Sequence, residues 1–123
     1  MSKTPDLRKL IKTQLDTVTG ATYYRIAADD ATMPYKVFSL RTVNLGDLAR
    51  DDISLDVEIW DKSKSPKAAE AIADAIETLF NGANLPQTSI LPTFYRESRA
   101  MVDDPDKSIQ HIVLSFMVQN YEK

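Results

Sequence analysis

Ile53, Leu55, Val57 and Ile59 alternate with Ser54, Asp56, Glu58 and Trp60. That period of two predicts a strand with one face in the core and one outside. The only tryptophan in the chain therefore falls on the outer face. After the turn "DKSKSP" the period lengthens. Ala69, Ile72, Ala73, Ile76, Leu79 and Phe80 form one apolar stripe at helical spacing. Ser65 is the expected N-cap, Pro66 the first helical residue, and Asn81-Gly82 the stop.

The same reasoning covers the rest of the chain. Thr4-Pro5 predicts a capped helix start, and Leu7, Leu10, Ile11, Leu15 and Val18 continue at helical spacing to about Thr19, with Gly20 closing. "TYYRIA", 22–27, reads as a short edge strand, and "PYKVFSLRTVN", 34–44, as a strand led by proline. "LGDLARDD", 45–52, reads as a turn. In "TSILPTFYRESRAMV", 88–102, Pro92 lacks a backbone donor, which predicts an edge strand or a bulge. "DDPDK", 103–107, is a turn by composition. The last strand runs from Ser108 to Tyr121, with Ile112, Leu114, Phe116 and Val118 toward the core. Helix, about three strands, helix and two strands give an α+β fold: two layers, a mostly antiparallel sheet covered on one face by two helices. The final strands form a long hairpin. No repeat or linker divides the chain, so residues 1–123 are read as one domain.

Composition narrows the function. With 43% hydrophobic and 27% charged residues over 123 positions, the chain is globular and large enough for a core without staples. It has no cysteine, which removes disulfides and thiolate zinc sites. The net charge is −3 and no lysine or arginine block occurs, so the electrostatic footprint of a DNA binder is missing. The N-terminal stretch lacks the unbroken apolar run of a signal peptide. The most apolar run, "IVLSFMV", is far shorter than the roughly 20 residues that cross a bilayer. These features predict a protein kept inside the cell until assembly or lysis, with no membrane partner.

No catalytic, cofactor or metal site is visible. His111 is the only histidine, which excludes a two-histidine metal motif; it lies on the strand face away from the core. The acidic groups Asp29-Asp30, Asp51-Asp52 and Asp103-Asp104 with Asp106 lack the glycine and distal glutamate of a calcium loop. No phosphate-binding glycine pattern or nucleophile elbow occurs. The chain is therefore read as a protein without enzyme activity or cofactor. Arg96 and Arg99 lie close to Glu97 in "FYRESR", either as an intersubunit charge cluster or as a solvated strand face. Val113, Met117 and Tyr121 alternate with the core face of the last strand and give a mixed surface beside Ser115 and Gln119. Together with Trp60 they have the composition of a protein interface. The other reading is that a loop or the N-terminal segment covers this face.

Four stretches carry a family resemblance: the N-terminal amphipathic helix ending near Gly20 and followed by "YYRIA"; "PYKVFSL"; "VEIWDKSKSPKAAEAIADAIETLF"; and the closing strand "SIQHIVLSFMVQNYEK". Over nearly its whole length the chain resembles the tail-completion proteins of long-tailed bacteriophages, also called tail terminator or tail-to-head joining proteins. The resemblance implies a ring, commonly a hexamer, at the head-proximal end of the virion tail. Its partners would be further copies of itself, the tail tube protein and the head-neck connector, with DNA passing through the lumen without specific binding. It would assemble in the host cytoplasm. The acidic "VDDPDKS" loop departs from the pattern. Head-closure or minor tail proteins share this location. A small α+β binding module holding a peptide or metabolite on its sheet, and an enzyme completed by a partner, are the competing classes.

Overall fold

The structure, a computed structural model, describes residues 4–45, 50–87 and 89–122. Its elements are α1 (Thr4–Leu15), β1 (Ala21–Tyr24), β2 (Tyr35–Leu45), β3 (Arg50–Lys62), α2 (Lys67–Phe80), β4 (Ile90–Val102) and β5 (Ile109–Glu122). The strands form one sheet in the order β1-β2-β3-β5-β4. β1 runs parallel to β2, and every other neighbouring pair is antiparallel. The fold is the α+β layer arrangement that the hydrophobic periods predict. No helix among the described residues is long and apolar enough to cross a membrane.

Both helices lie on one face of the sheet, where a single apolar cluster joins the layers. Leu7, Ile11 and Leu15 of α1 and Ala69, Ile72, Ala73, Ile76 and Phe80 of α2 meet Phe38, Leu55, Val57, Ile59, Leu114 and Phe116. Phe80 packs against both Phe94 and Phe116, with ring centroids 4.9 and 5.7 Å apart. The alternation of β3 and β5 survives intact: Ile53, Leu55, Val57 and Ile59 are buried opposite Val118, Phe116, Leu114 and Ile112. The final hairpin is as long as expected, with β4 paired to β5 from Ile90 to Val102.

The element ends differ from expectation for local reasons. α1 stops at Leu15, not Thr19. The Thr17 and Val18 amides bond to the Gln14 and Leu15 carbonyls, three residues back, which tightens the chain out of the α-helix. Gly20 then takes φ +95, and a Cβ there would stand 2.8 Å from the Pro34 carbonyl oxygen. β1 ends at Tyr24 because Arg25, at φ +70, turns the chain off the edge of β2. β3 starts at Arg50, so Asp51 and Asp52 belong to a strand and not to the turn; Gly46 and its neighbours, 46–49, lie outside the described residues, as does Thr88. Pro66 sits at the cap position of α2 rather than inside it, while the Ser65 Oγ accepts from the Lys67 amide at 3.2 Å. Of the two readings of Pro92, the edge strand is the one found. The register of β4 with β5 shifts further along, between Arg96 and Ser98 and away from the proline.

Candidate interaction surface on the bare face of the sheet

The pairing registers build the second face of the sheet row by row. Tyr35 lies beside Trp60, Trp60 beside His111, and His111 beside Val102. The next row is Val37, Glu58, Val113 and Ala100; two rows further on, Ser54, Met117 and Tyr95 follow. No described helix lies on this side, because both are spent on the other. The N-terminal helix is therefore not the cover that the alternative reading required.

Trp60 is not an isolated aromatic. Its ring stacks on His111, with centroids 3.6 Å apart and planes 13° from parallel. The His111 Nε2 lies 2.9 Å from a Glu58 carboxylate oxygen, and His111 is buried although it faces away from the core. One row over, Tyr23 meets Tyr35 edge to face at 5.9 Å. Val37 between them is 6% exposed, so this end of the face forms a packed aromatic ridge. An aromatic pair of this kind adds about 0.5–1.5 kcal/mol beyond the area it buries, and it fixes the orientation of both rings. Carboxylates stand beside the ridge. Asp56 accepts a hydrogen bond from the Ser115 hydroxyl at 2.7 Å.

Of the residues singled out in the sequence, Trp60, Val113, Met117 and Tyr121 come together on this face. Arg96 and Arg99 do not. The bulge after Arg96 sets both arginines opposite core-facing positions of β5, Phe116 and Leu114, and so on the helix side. Their partners are on α2 and not at Glu97. Arg96 donates to Glu77 at 2.7 Å, and Arg99 donates to Asp74 at 2.6 Å and to Glu77 at 3.1 Å. Hydrogen bonding to Asp74, ahead of that to Glu77, holds the Arg99 guanidinium above its usual range.

Sequence reasoning missed Lys36. Its side chain is fully buried beneath the helices, and its Nζ donates to the Val18, Thr19 and Gly20 carbonyls, the first two at 2.9 and 3.0 Å. The ammonium thus closes the carbonyl end of α1 and its exit turn, where negative dipole ends collect. Burial pushes the amine down to about 8, against the pull of Asp16. A signal was present. In "PYKVFSL" Lys36 shares its strand face with Phe38 and Leu40, so a lysine on the apolar side needed a partner.

The face offers shape and mixed polarity. Among the described residues no three His, Asp or Glu side chains converge as metal ligands. The acidic loop is a self-contained turn. The Asp106 carboxylate accepts from both the amide and the hydroxyl of Ser108, at 2.9 and 2.7 Å, which lowers its pKa. The Asp104 carboxylate accepts from the Asp106 amide at 2.9 Å.

Comparison with known proteins follows the same direction. A search of curated proteins finds no match. Among solved structures, a chain described as "Virion of native gene transfer agent (GTA) particle" superposes with a TM-score of 0.66, covering 93% of this chain and 85% of that one. At 13% identity this is a likeness of fold. A family model described as "Tail completion protein gp17" matches residues 5–119, from the first turn of α1 to the end of the core-facing run of β5. The chain belongs to the tail completion protein gp17 family, and is a structural protein of the phage tail.

Proposed function

We propose that the protein assembles into a ring, a hexamer in the simplest case, at the head-proximal end of the tail. There it ends the tail tube and joins it to the head-neck connector. The observation that carries this reading is the bare sheet face with its Trp60–His111 ridge. A family member that contributes structure to a virion works through surfaces. This surface has the aromatic and methionine content of a protein interface, with few lysines. A net charge of −3 suits a ring that DNA must traverse, since tight phosphate binding would oppose passage.

The ring is tested by the mass of the purified protein in solution. The wild type is expected to run as a closed oligomer at micromolar concentration. Trp60→Ala is expected to weaken assembly or binding of the tail tube protein by at least about tenfold, the scale of an interface anchor. It should shift the unfolding midpoint of the separated subunit only slightly. A variant that loses most of its thermal stability and still assembles would make Trp60 a folding residue and remove it from the interface.

A further inference from the structure

Two features of the molecule are left without a role by the bare sheet face. The first is a groove of about 450 Å³ along α1. Arg8, Lys9 and Lys12 line it from the helix, and Tyr24 and Phe38 close it from the sheet. Tyr24 packs on Phe38 with ring centroids 5.1 Å apart, and the Arg8 guanidinium stands 5.1 Å from the Tyr24 ring centroid. The floor is aromatic and the rim is cationic. Asp6 also lines the groove and accepts from the Ser89 hydroxyl at 2.6 Å, while Asp16 pairs with Lys12 at 2.8 Å. Lys9 has no ion-pair or hydrogen-bond partner among the described residues, and Arg25, next to Tyr24, is a further exposed cation. Four cations, Arg8, Lys9, Lys12 and Arg25, against Asp6 and Asp16 leave two positive charges in excess, on a chain whose net charge is −3.

The second feature is the acidic turn at the tip of the β4–β5 hairpin. Asp103, Asp104 and Asp106 against Lys107 leave two negative charges in excess; Lys62 on β3 helps to hold Asp106 ionised without cancelling that sign. The Asp104 and Asp106 carboxylates bind amides of the turn, so its shape is set in advance. Asp103 is exposed and makes no such bond. Met101 and Val102, just before it, are 46% and 41% exposed. An anionic tip with an apolar shoulder is the complement of a cationic groove with an aromatic floor. The two stand at opposite edges of the sheet, since β1 and β4 are its outer strands. At the usual strand spacing roughly 15–20 Å separates them. Charges of opposite sign at opposite edges are satisfied when one copy follows another, not within one chain.

We infer that the hairpin tip of one copy, residues 101–107, docks in the α1 groove of the next, with its carboxylates against Arg8 and Lys9 and its apolar shoulder against Tyr24. The contact uses different surfaces on the two copies, which is the heterologous geometry that closes into rings. The charges steer the approach and reject the reverse pairing of groove with groove or tip with tip. This inference rests on the ring proposed above and names a contact that builds it. It also gives a role to the acidic loop, the one stretch that departs from the family pattern.

The chain has no cysteine, so an introduced pair reports only the contact it spans. The full chain carrying Lys9→Cys and Asp103→Cys, treated with a short bismaleimide where the wild type assembles, is expected to give a ladder of covalently joined copies on a denaturing gel. Either cysteine alone is expected to give nothing beyond a dimer. Lys9→Cys with Thr78→Cys, which places the second thiol on the exposed side of α2, is expected to give no ladder. Charge reversal is read by light scattering after size exclusion at physiological salt, with circular dichroism as the folding control. R8E/K9E and Asp103→Lys are each expected to stay folded and to need at least about tenfold more protein to assemble, since like charges facing each other across an interface are strongly disfavoured. Folded reversal variants that assemble like the wild type, or an assembled K9C/D103C protein that gives no ladder, would overturn the hairpin contact and leave the ring standing. A wild type that stays monomeric at every concentration would remove the ring and this contact together.

Discussion

A buried ammonium must replace the water it loses, and Lys36 does so with three carbonyl oxygens at the exit of α1. The same short turn needs Gly20 at φ +95, within a Cβ radius of the Pro34 carbonyl. Two outcomes follow at this scale. Gly20→Ala meets both a left-handed backbone and a backbone contact, so it is expected to lower stability by on the order of 2 kcal/mol in urea denaturation. An unchanged midpoint would mean that the turn relaxes freely. Lys36 sets a pH dependence. The folded protein releases this proton near pH 8, whereas an unfolded lysine holds it to 10.5. The unfolded state therefore binds more protons inside that window, and stability rises as the pH passes from 8 toward 10.5. Below pH 8 both states are protonated and the desolvation cost is carried in full. Against Lys36→Met, which lacks the group, the wild type is expected to gain up to about 3 kcal/mol across the window. A constant difference between the two proteins would contradict the burial argument. Gly20 was legible as the close of the first helix and Lys36 as a lysine on the apolar strand face, but the carbonyls that each one meets were not. The stripe that includes Val18 prolongs the first helix on paper, but the hydrogen bonds tighten after Leu15.

At the scale of elements, β4 shows what alternation conveys and where it fails. The strand and its edge position were legible from Pro92, and the core face of its first half follows the period of two. The extra residue at the bulge then shifts the period, so Arg96 and Arg99, three apart, face the same way. This places both over α2, a contact no pattern within 88–102 announces. Glu77 receives both guanidiniums and is 13% exposed, while Arg96 and Arg99 remain 53% and 32% exposed. Solvent screens the arginine ends, so the network is a modest clamp between α2 and the sheet. Glu77→Ala is expected to cost about 1 kcal/mol. A double-mutant cycle with Arg99→Ala should recover a coupling of a few tenths of a kcal/mol. A loss of several kcal/mol would place Glu77 in the core energetics instead. The stack of Trp60 on His111 was hidden for a different reason. Both residues were correctly assigned to the outer face, but their adjacency depends on β5 inserting between β3 and β4, a strand order that no local signal encodes.

At the scale of the molecule, two helices on one side and, among the described residues, none on the other leave a sheet with a finished face and an unfinished one. The bare face is the surface proposed above for contacts with other proteins. Several charged groups serve the fold itself: Arg96 and Arg99 pair with α2, Lys36 caps the exit of α1, and Asp104 and Asp106 close their turn. The account predicts a structural part whose loss is seen in particles. Thin-section views are too coarse for this, whereas negative-stain microscopy of lysates resolves heads and tails separately. In a phage or prophage lacking this gene, the account predicts filled heads beside unattached tails of abnormal length, with normal particles restored by the wild-type gene supplied in trans. Normal, infectious particles in the deletion would contradict it.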